Sequence, residues 1–344
     1  TRYRNIQADN PVYLSDYRQK NSSLGLKSAT EYKLEPISIN LGLELSRQSY
    51  ERQDNLIVLQ SIGLRKRYQK AASLNLLTES ELNYFANKLQ AGIRVDDVTE
   101  YEPFVSWRLE DVFTFESSFI WQAGAYIGSS FSLPSFYDLY WKGDAQSLGN
   151  PDLQPETSLG GSIWTGISYL DNSLKIAYYR SEVKKLIQWH QTYLYGPQWK
   201  PLNIGKARLQ NWEITASLQP VKWLKLSAST VFTKAVDIDM NANLTYTPDA
   251  KGNAGIMLSY LNTVLDLNLD YTGRQWKTRD NVIDPIPAYT LYNAALSRSF
   301  SYRKCSSSVF VRLNNLFDKQ YEIYDYVPQP GFNWLCGLNL QYRM

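Results

Sequence analysis

Residues 263 to 273 read Thr-Val-Leu-Asp-Leu-Asn-Leu-Asp-Tyr-Thr-Gly, which sets Leu265, Leu267, Leu269 and Tyr271 on one parity and Asp266, Asn268 and Asp270 on the other. The pattern returns along the chain. Leu159, Ile163, Ile167 and Tyr169 oppose Ser158, Ser162 and Ser168, with Trp164 intruding on the polar side. Trp212, Ile214, Ala216 and Leu218 oppose Glu213, Thr215, Ser217 and Gln219, and Leu224, Leu226, Ala228 and Phe232 oppose Lys225, Ser227, Ser229 and Thr233. The last segment sets Cys336, Leu338, Leu340, Tyr342 and Met344 against Gly337, Asn339, Gln341 and Arg343. A period of two sustained in this way marks strands that separate two unlike environments, and the spacings of three and four that a helical stripe needs are missing.

Connections between these segments fall into two lengths. Short breaks lie at Asp171-Asn172, Pro220-Val221, Leu261-Asn262 and Ser301 to Lys304, and long polar and aromatic segments at 131 to 156, 189 to 205, 237 to 250, 274 to 287 and 319 to 330. Because short and long connectors alternate, all the long ones emerge at one end, as in outer-membrane barrels. Counting back from Met344 predicts strands near 331 to 344, 305 to 318, 288 to 300, 263 to 273, 250 to 260, 222 to 236, 206 to 219, 174 to 188, 157 to 170 and 113 to 130. Earlier strands are predicted near 102 to 110, 87 to 97, 68 to 79, 39 to 50 and 24 to 34, with one more before residue 18, or about sixteen in all.

In hydrocarbon only helices and closed barrels leave no backbone group unpaired, and about 9 to 11 tilted residues are enough for a strand to cross. The polar parity then needs a wet lumen to solvate Asp266, Asp270, Glu213 and Arg343, because an unpaired buried charge costs several kcal/mol or more. A soluble two-sheet protein with polar outer faces shows the same alternation, but has no reason to sort its loops by length.

Composition narrows the picture. The 344 residues suit one large β architecture, and 26 Tyr and 10 Trp against 3 Met and one His favour strands and interfaces. No run of about 18 apolar residues exists, which excludes a helical span, and a mean hydropathy of −0.39 is compatible with a barrel whose strands average out. A net charge of +3 without a basic run sets nucleic acid aside. Cys305 and Cys336 make no metal spacing, and on adjacent strands at different heights they are expected not to bridge. The start, Thr1-Arg-Tyr-Arg, lacks the features of a signal peptide.

Two segments go beyond patterning. Ser132-Leu-Pro-Ser-Phe-Tyr-Asp-Leu-Tyr-Trp141 is followed by Gly149-Asn-Pro-Asp-Leu-Gln-Pro-Glu156, and Asn314-Asn-Leu-Phe-Asp-Lys-Gln-Tyr-Glu322 by Pro330-Gly331 and the alternating terminal strand. With Gly92-Ile-Arg-Val-Asp96 and Tyr271-Thr-Gly273, they closely resemble the barrel of TonB-dependent outer-membrane receptors over roughly residues 85 to 344. The Leu139-Tyr-Trp141 form is most similar to cobalamin receptors and their siderophore-receptor relatives. The prolines Pro134, Pro151 and Pro155 and the glycines Gly149 and Gly331 read as anchors of loops at the barrel rim.

The resemblance implies an all-β transmembrane barrel of about 22 strands, filled by an N-terminal plug that engages TonB. About sixteen strands are counted here, with no room for a plug, so residues 1–344 read as the C-terminal part of one barrel domain. The terminal Met344 departs from the Phe usual in such barrels. Located in the bacterial outer membrane and surrounded by its lipid, the chain is expected to serve uptake of a scarce bulky ligand, cobalamin or a ferric siderophore. TonB would act through the absent plug. Candidate ligand contacts are the loop aromatics Tyr137, Tyr140, Trp141, Trp189, Tyr193, Tyr195, Trp199, Trp276, Tyr324 and Tyr326, each able to offer a flat face while its polar tip stays wet. An interfacial girdle or loop packing is the competing role for most of them, with ligand contact centred on Trp141, Trp189 and Trp199. No catalytic residue, cofactor or metal is expected: His190 reads as a solvated loop residue, and the pairs Asp96/Asp97 and Asp237/Asp239 as loop solvation. A self-contained diffusion porin of sixteen strands is the alternative, and a soluble β-rich binding module the third class.

Overall fold

The computed structural model describes residues 2–5, 15–55, 61–142, 147–192, 198–303 and 305–342. In chain order its elements are β1 (Arg2–Asn5), β2 (Ser15–Leu34), β3 (Ile37–Asp54), β4 (Ile62–Leu82), β5 (Phe85–Val98), β6 (Phe104–Glu116) and β7 (Ile120–Ser132). A one-turn helix, α1 (Phe136–Tyr140), precedes β8 (Glu156–Tyr169), β9 (Asn172–Lys184), β10 (Ile187–Thr192), β11 (Gln198–Asn203), β12 (Lys206–Val221) and β13 (Leu224–Asp237). The rest are β14 (Ala242–Asn243), β15 (Ala250–Tyr260), β16 (Thr263–Thr272), β17 (Tyr289–Tyr302), β18 (Cys305–Asn314), β19 (Glu322–Tyr324), β20 (Val327–Pro328) and β21 (Asn333–Tyr342).

One seventeen-stranded sheet holds all but two hairpins. Its registers are antiparallel throughout, running from β1 through β9, then β12, β13, β15 to β18, and β21, with the two-residue β14 as a side addition to β13. Without β14 that ladder has the sixteen strands the alternation implies. The hairpins β10–β11 and β19–β20 stand outside it, within long loops.

Two expectations need correction. The strand read at 113 to 130 crosses a turn: residues 117–119 divide β6 from β7, because Ser117-Ser118 interrupts a run of aromatics that looked continuous. The break placed at Pro220-Val221 lies two residues later, at Lys222-Trp223, since Pro220 falls in a register shift between Leu218 and Val221, a bulge that accommodates a proline without turning the strand. Loop sorting holds: the connectors at 35–36, 83–84, 117–119, 170–171, 222–223, 261–262 and 303–304 share one end, and those at 133–155, 185–205, 238–249, 273–288 and 315–332 the other. At the tight end, Leu261 and Asn262 both have positive φ (44° and 62°), the geometry of a two-residue hairpin turn whose twist matches its strands.

The aliphatic parity points away from any protein centre. Leu24, Leu43, Leu338 and Leu340 are 71%, 66%, 62% and 71% exposed, whereas the buried hydrophobic cluster is confined to Ile204, Ala207, Ala235 and Leu244 at the long-loop end. A soluble sandwich would bury those leucines, so the third class falls. Aromatic belts bound the apolar band. Trp107 and Phe115 on β6, and Tyr292 and Phe300 on β17, face outward eight positions apart, about 27 Å of strand and about 20 Å once tilted, close to the height of a lipid-facing band. Trp164, the intruder, faces inward and lies over Gly124, where an added Cβ would meet its ring at 2.6 Å, with Lys175 Nζ 4.7 Å from the ring centroid. The glycine makes room for the aromatic and the lysine fills its polar side. Cys305 and Cys336 are free, and β18 and β21 set Cys305 opposite Tyr342 but Cys336 opposite Val311. Arg343 and Met344, assigned to the two parities above, lie outside the described residues.

Candidate ligand-binding mouth

The two sequence motifs fold into struts of the long-loop end. In the first, Ser135 caps α1: its Oγ accepts from the Asp138 N–H at 3.0 Å while Asp138 Oδ2 accepts from the Ser135 N–H at 3.1 Å, a reciprocal capping box. The other oxygen of Asp138 accepts from Trp189 Nε1 at 2.9 Å, tying α1 to the β10–β11 hairpin. Gly149 and Asn150 complete the strut. Their N–H groups donate to the Trp141 and Asp138 carbonyls at 2.6 and 2.7 Å, and buried Asn150 Nδ2 donates to the Pro201 carbonyl at 3.0 Å. A Cβ on Gly149 would sit 2.6 Å from the Trp141 nitrogen, so no larger residue fits. Glu156 Oε1 accepts from the Ile187 N–H at 2.6 Å, and Arg67 donates to the carbonyl of buried Pro134 at 2.8 Å.

The second motif anchors the last loop. Buried Asn315, at φ 52°, accepts from the Lys319 N–H at 2.8 Å and donates to the Lys319 carbonyl at 2.9 Å. Asp318 Oδ1 accepts from the Phe332 N–H at 2.8 Å in the space that Gly331 leaves open. Of the residues read as rim anchors, Pro134, Gly149 and Gly331 lie where loops are fastened.

Four long loops enclose a cavity of about 490 Å³. Trp189, His190 and Trp199 come from the β9–β12 loop, Met240 and Tyr246 from the β13–β15 loop, Lys277 to Ile283 from the β16–β17 loop, and Asp325 from the last. Its cations are paired: Lys277 Nζ lies 2.9 Å from Asp325 Oδ1, and Arg279 Nε 2.7 Å from Asp237 Oδ2. The Asp325 hydrogen bond holds the Lys277 ammonium above its usual pKa, and hydrogen bonds from Thr278 and the Val282 N–H hold Asp280 below its own. His190 departs from the solvated loop residue expected. It sits on β10 against the cavity with Nε2 buried and unpartnered among the described residues, and burial, reinforced by Arg279 and opposed by Asp237, pushes its pKa down. One member of each acidic pair departs likewise, while Asp97 and Asp239 are exposed as expected. Asp237 is fully buried, accepting from Arg279 and from the Asp239 and Met240 N–H groups, and Asp96 is fully buried on β5 against Arg94 and Gln69. A charge that can be paired need not stay wet.

The aromatic candidates divide among several places. Trp189 and Trp199 line the cavity, and Tyr324 packs at a tilt against its wall residue Tyr246 with centroids 5.1 Å apart. Tyr137 bridges outward, 5.6 Å from Trp189 and 4.8 Å from Trp141, and lines a second recess of about 510 Å³ beneath α1. Tyr140 and Trp141 are covered by Arg65 and Arg52, a packing role. Trp276 fastens the loop through its carbonyl, which accepts from the Tyr246 N–H at 2.8 Å, and Tyr326 projects at 86% exposure. Tyr193 and Tyr195 lie outside the described residues. Sequence reasoning missed Tyr246, Lys277, Arg279 and Asp325, which no motif distinguishes. Among the described residues no group of three or more His, Cys, Asp or Glu could hold a metal ion.

Comparison with known proteins agrees with this architecture. The vitamin B12 transporters BtuB of Photobacterium profundum and Vibrio vulnificus are each 30% identical to this chain, over 238 and 281 residues. Those matches cover 68% and 74% of it but only 37% and 40% of the relatives, so the chain spans about two-fifths of their length. The copper transporter OprC superposes with a TM-score of 0.75 at 14% identity, over 96% of this chain and 57% of that one. The ferric enterobactin receptor PfeA of Pseudomonas aeruginosa gives 0.73 at 17%, over 96% and 55%. A family model described as TonB dependent receptor-like, beta-barrel, matches residues 1–316. With its antiparallel wall, outward leucines and loops gathered at one end, the chain belongs to that family of TonB-dependent receptor-like outer-membrane β-barrels.

Proposed function

We propose that this wall captures a bulky, flat-faced nutrient at its extracellular mouth, a corrinoid of the vitamin B12 kind in first place and a ferric siderophore in second. Transport would be powered by TonB acting through a plug domain supplied from outside these 344 residues. One observation carries the reading: four independent loops converge on a single cavity walled by Trp189, Trp199 and Tyr246. Its volume is in the range of small-molecule sites, and aromatic faces there bind through area without a matching charge. The lining favours the corrinoid. Its two cations, Lys277 and Arg279, are matched by its two carboxylates, Asp280 and Asp325, leaving little net attraction for a multiply charged anionic chelate. The 30% identity to two vitamin B12 transporters supports the same order.

The test is equilibrium binding of labelled cyanocobalamin, with a ferric tricatecholate in parallel, to proteoliposomes carrying the chain together with its plug and the strands that complete its barrel. Trp189→Ala and Trp199→Ala are each expected to weaken cyanocobalamin binding about tenfold, the effect of removing an aromatic anchor. Binding of neither probe, or binding indifferent to both substitutions, rejects the cavity as the capture site.

A further inference from the structure

The outward wall carries a second kind of site, far from the mouth. Beside the short turn at 261–262, Trp223, Leu258, Tyr260, Leu261 and Leu265 line an open groove of about 690 Å³, and Arg298 closes one side. Apart from Ser259 and the turn residues Trp223 and Leu261, its lining belongs to the lipid-facing parity: Thr263 pairs with Arg298, Leu258 with Leu265, and Tyr260 and Leu261 are 75% and 72% exposed. Arg298 lies two positions from Phe300, a residue of the lower aromatic belt, with its guanidinium carbon 5.5 Å from that ring centroid. The groove lining contains no carboxylate.

That last feature sets Arg298 apart. The outward-facing arginine beside another apolar groove, Arg180, lies 3.2 Å from Glu182, which also holds Arg208 at 3.0 Å, so its charge is answered by the protein. Arg298 faces the headgroup region at the tight-turn, periplasmic end with an apolar trough beside it, and the groove is continuous with the lipid-contacting band. We infer that this groove is a binding site for one anionic diacyl phospholipid of the periplasmic leaflet, its phosphate on Arg298, its glycerol region against Trp223 and Tyr260, and an acyl chain along Leu258 and Leu265. A guanidinium matches phosphate geometry, interfacial Trp and Tyr sit at headgroup depth, and neither a sugar nor a peptide is suited to a trough of leucines immersed in hydrocarbon.

The experiment is native mass spectrometry of the chain, refolded together with the strands that complete its barrel, in zwitterionic micelles titrated with dioleoyl phosphatidylglycerol, with heat-shifted electrophoretic mobility confirming the fold of each variant. The expected result is one tightly retained phosphatidylglycerol, lost about fivefold in Arg298→Gln, largely kept in Arg298→Lys, weakened in Trp223→Ala and unchanged in Arg180→Gln. Equal retention of phosphatidylcholine would overturn the inference, as would an unaffected Arg298→Gln. An equal loss in Arg180→Gln would assign binding to diffuse charge, and full competition by millimolar inorganic phosphate would show an adventitious ion only; either result overturns the site.

Discussion

His190 shows how one side chain can report on the closure of the mouth. Its ring is held on the β10–β11 hairpin with Nε2 buried, and the desolvation this imposes, together with the Arg279 guanidinium, favours the neutral form. A histidine whose pKa is depressed in the closed loops binds a proton more readily once they open, so closure is fully favoured above the ordinary pKa of 6.5 and weakens as pH falls through it, levelling off below the depressed value. Amide hydrogen exchange in β10 and β11, corrected for intrinsic rate, is therefore expected to accelerate between about pH 7.5 and 5.5, a span that brackets the ordinary histidine value. The same amides in His190→Gln are expected to show no such pH step, and a wild-type profile flat over that range would place the imidazole in contact with water. Nothing around position 190 in the sequence signals this. The cavity it borders is walled by three other loops besides its own, far along the chain, so burial here is a property of loop convergence.

At the scale of the strand, the adjacent residues Leu267 and Asn268 on β16 make the cleanest comparison. Leu267 pairs with Ala294 and Ile256 on the lipid side, and Asn268 with Asn293 and Gly255 on the lumen side. Leu267→Lys is expected to destabilise the barrel by about 2–4 kcal/mol, the cost of a cation near the bilayer midplane, and Asn268→Lys by well under half of that. Denaturant titration of the chain refolded in lipid vesicles with the strands that complete its barrel measures both, and equal costs would mean that the parities do not face different solvents. This alternation was legible because a period of two is a local property of sequence, as was loop sorting, which only needs connector lengths. What stayed hidden was local chemistry that competes with the period. The β6–β7 turn is made by serines inside an aromatic run, and the 133–155 connector contains a helix whose capping box lies within the Ser135-Phe-Tyr-Asp138 motif already singled out. At the mouth, Trp189 and Trp199 were found because aromatic residues in loops are conspicuous, whereas Tyr246 and the paired cations depend on which loops meet.

For the whole molecule, the decisive question is what completes the wall. Strand direction follows from the connectors: β2 ends at the tight turn 35–36 and β21 begins at the long loop 315–332, so both run toward the short-turn end. Direct closure of β2 on β21 would thus be parallel, against the antiparallel rule that every register of this sheet obeys. Among the described residues an antiparallel edge is offered only by β1, whose four residues pair with Ser15 to Arg18 and leave Gln19 to Leu34 of β2 beyond its reach. A bilayer tolerates no long row of unpaired N–H and C=O groups, because each costs several kcal/mol in hydrocarbon. A self-contained sixteen-strand porin is therefore disfavoured by strand polarity as well as by family membership, and further antiparallel strands between β21 and β2 satisfy both edges. Refolded alone into planar bilayers, the chain is expected to give no steady, discrete conductance of the kind a closed sixteen-strand barrel produces. A stable unitary step that disappears when Leu267→Lys blocks insertion would show that the two edges do seal on each other, and would restore the porin.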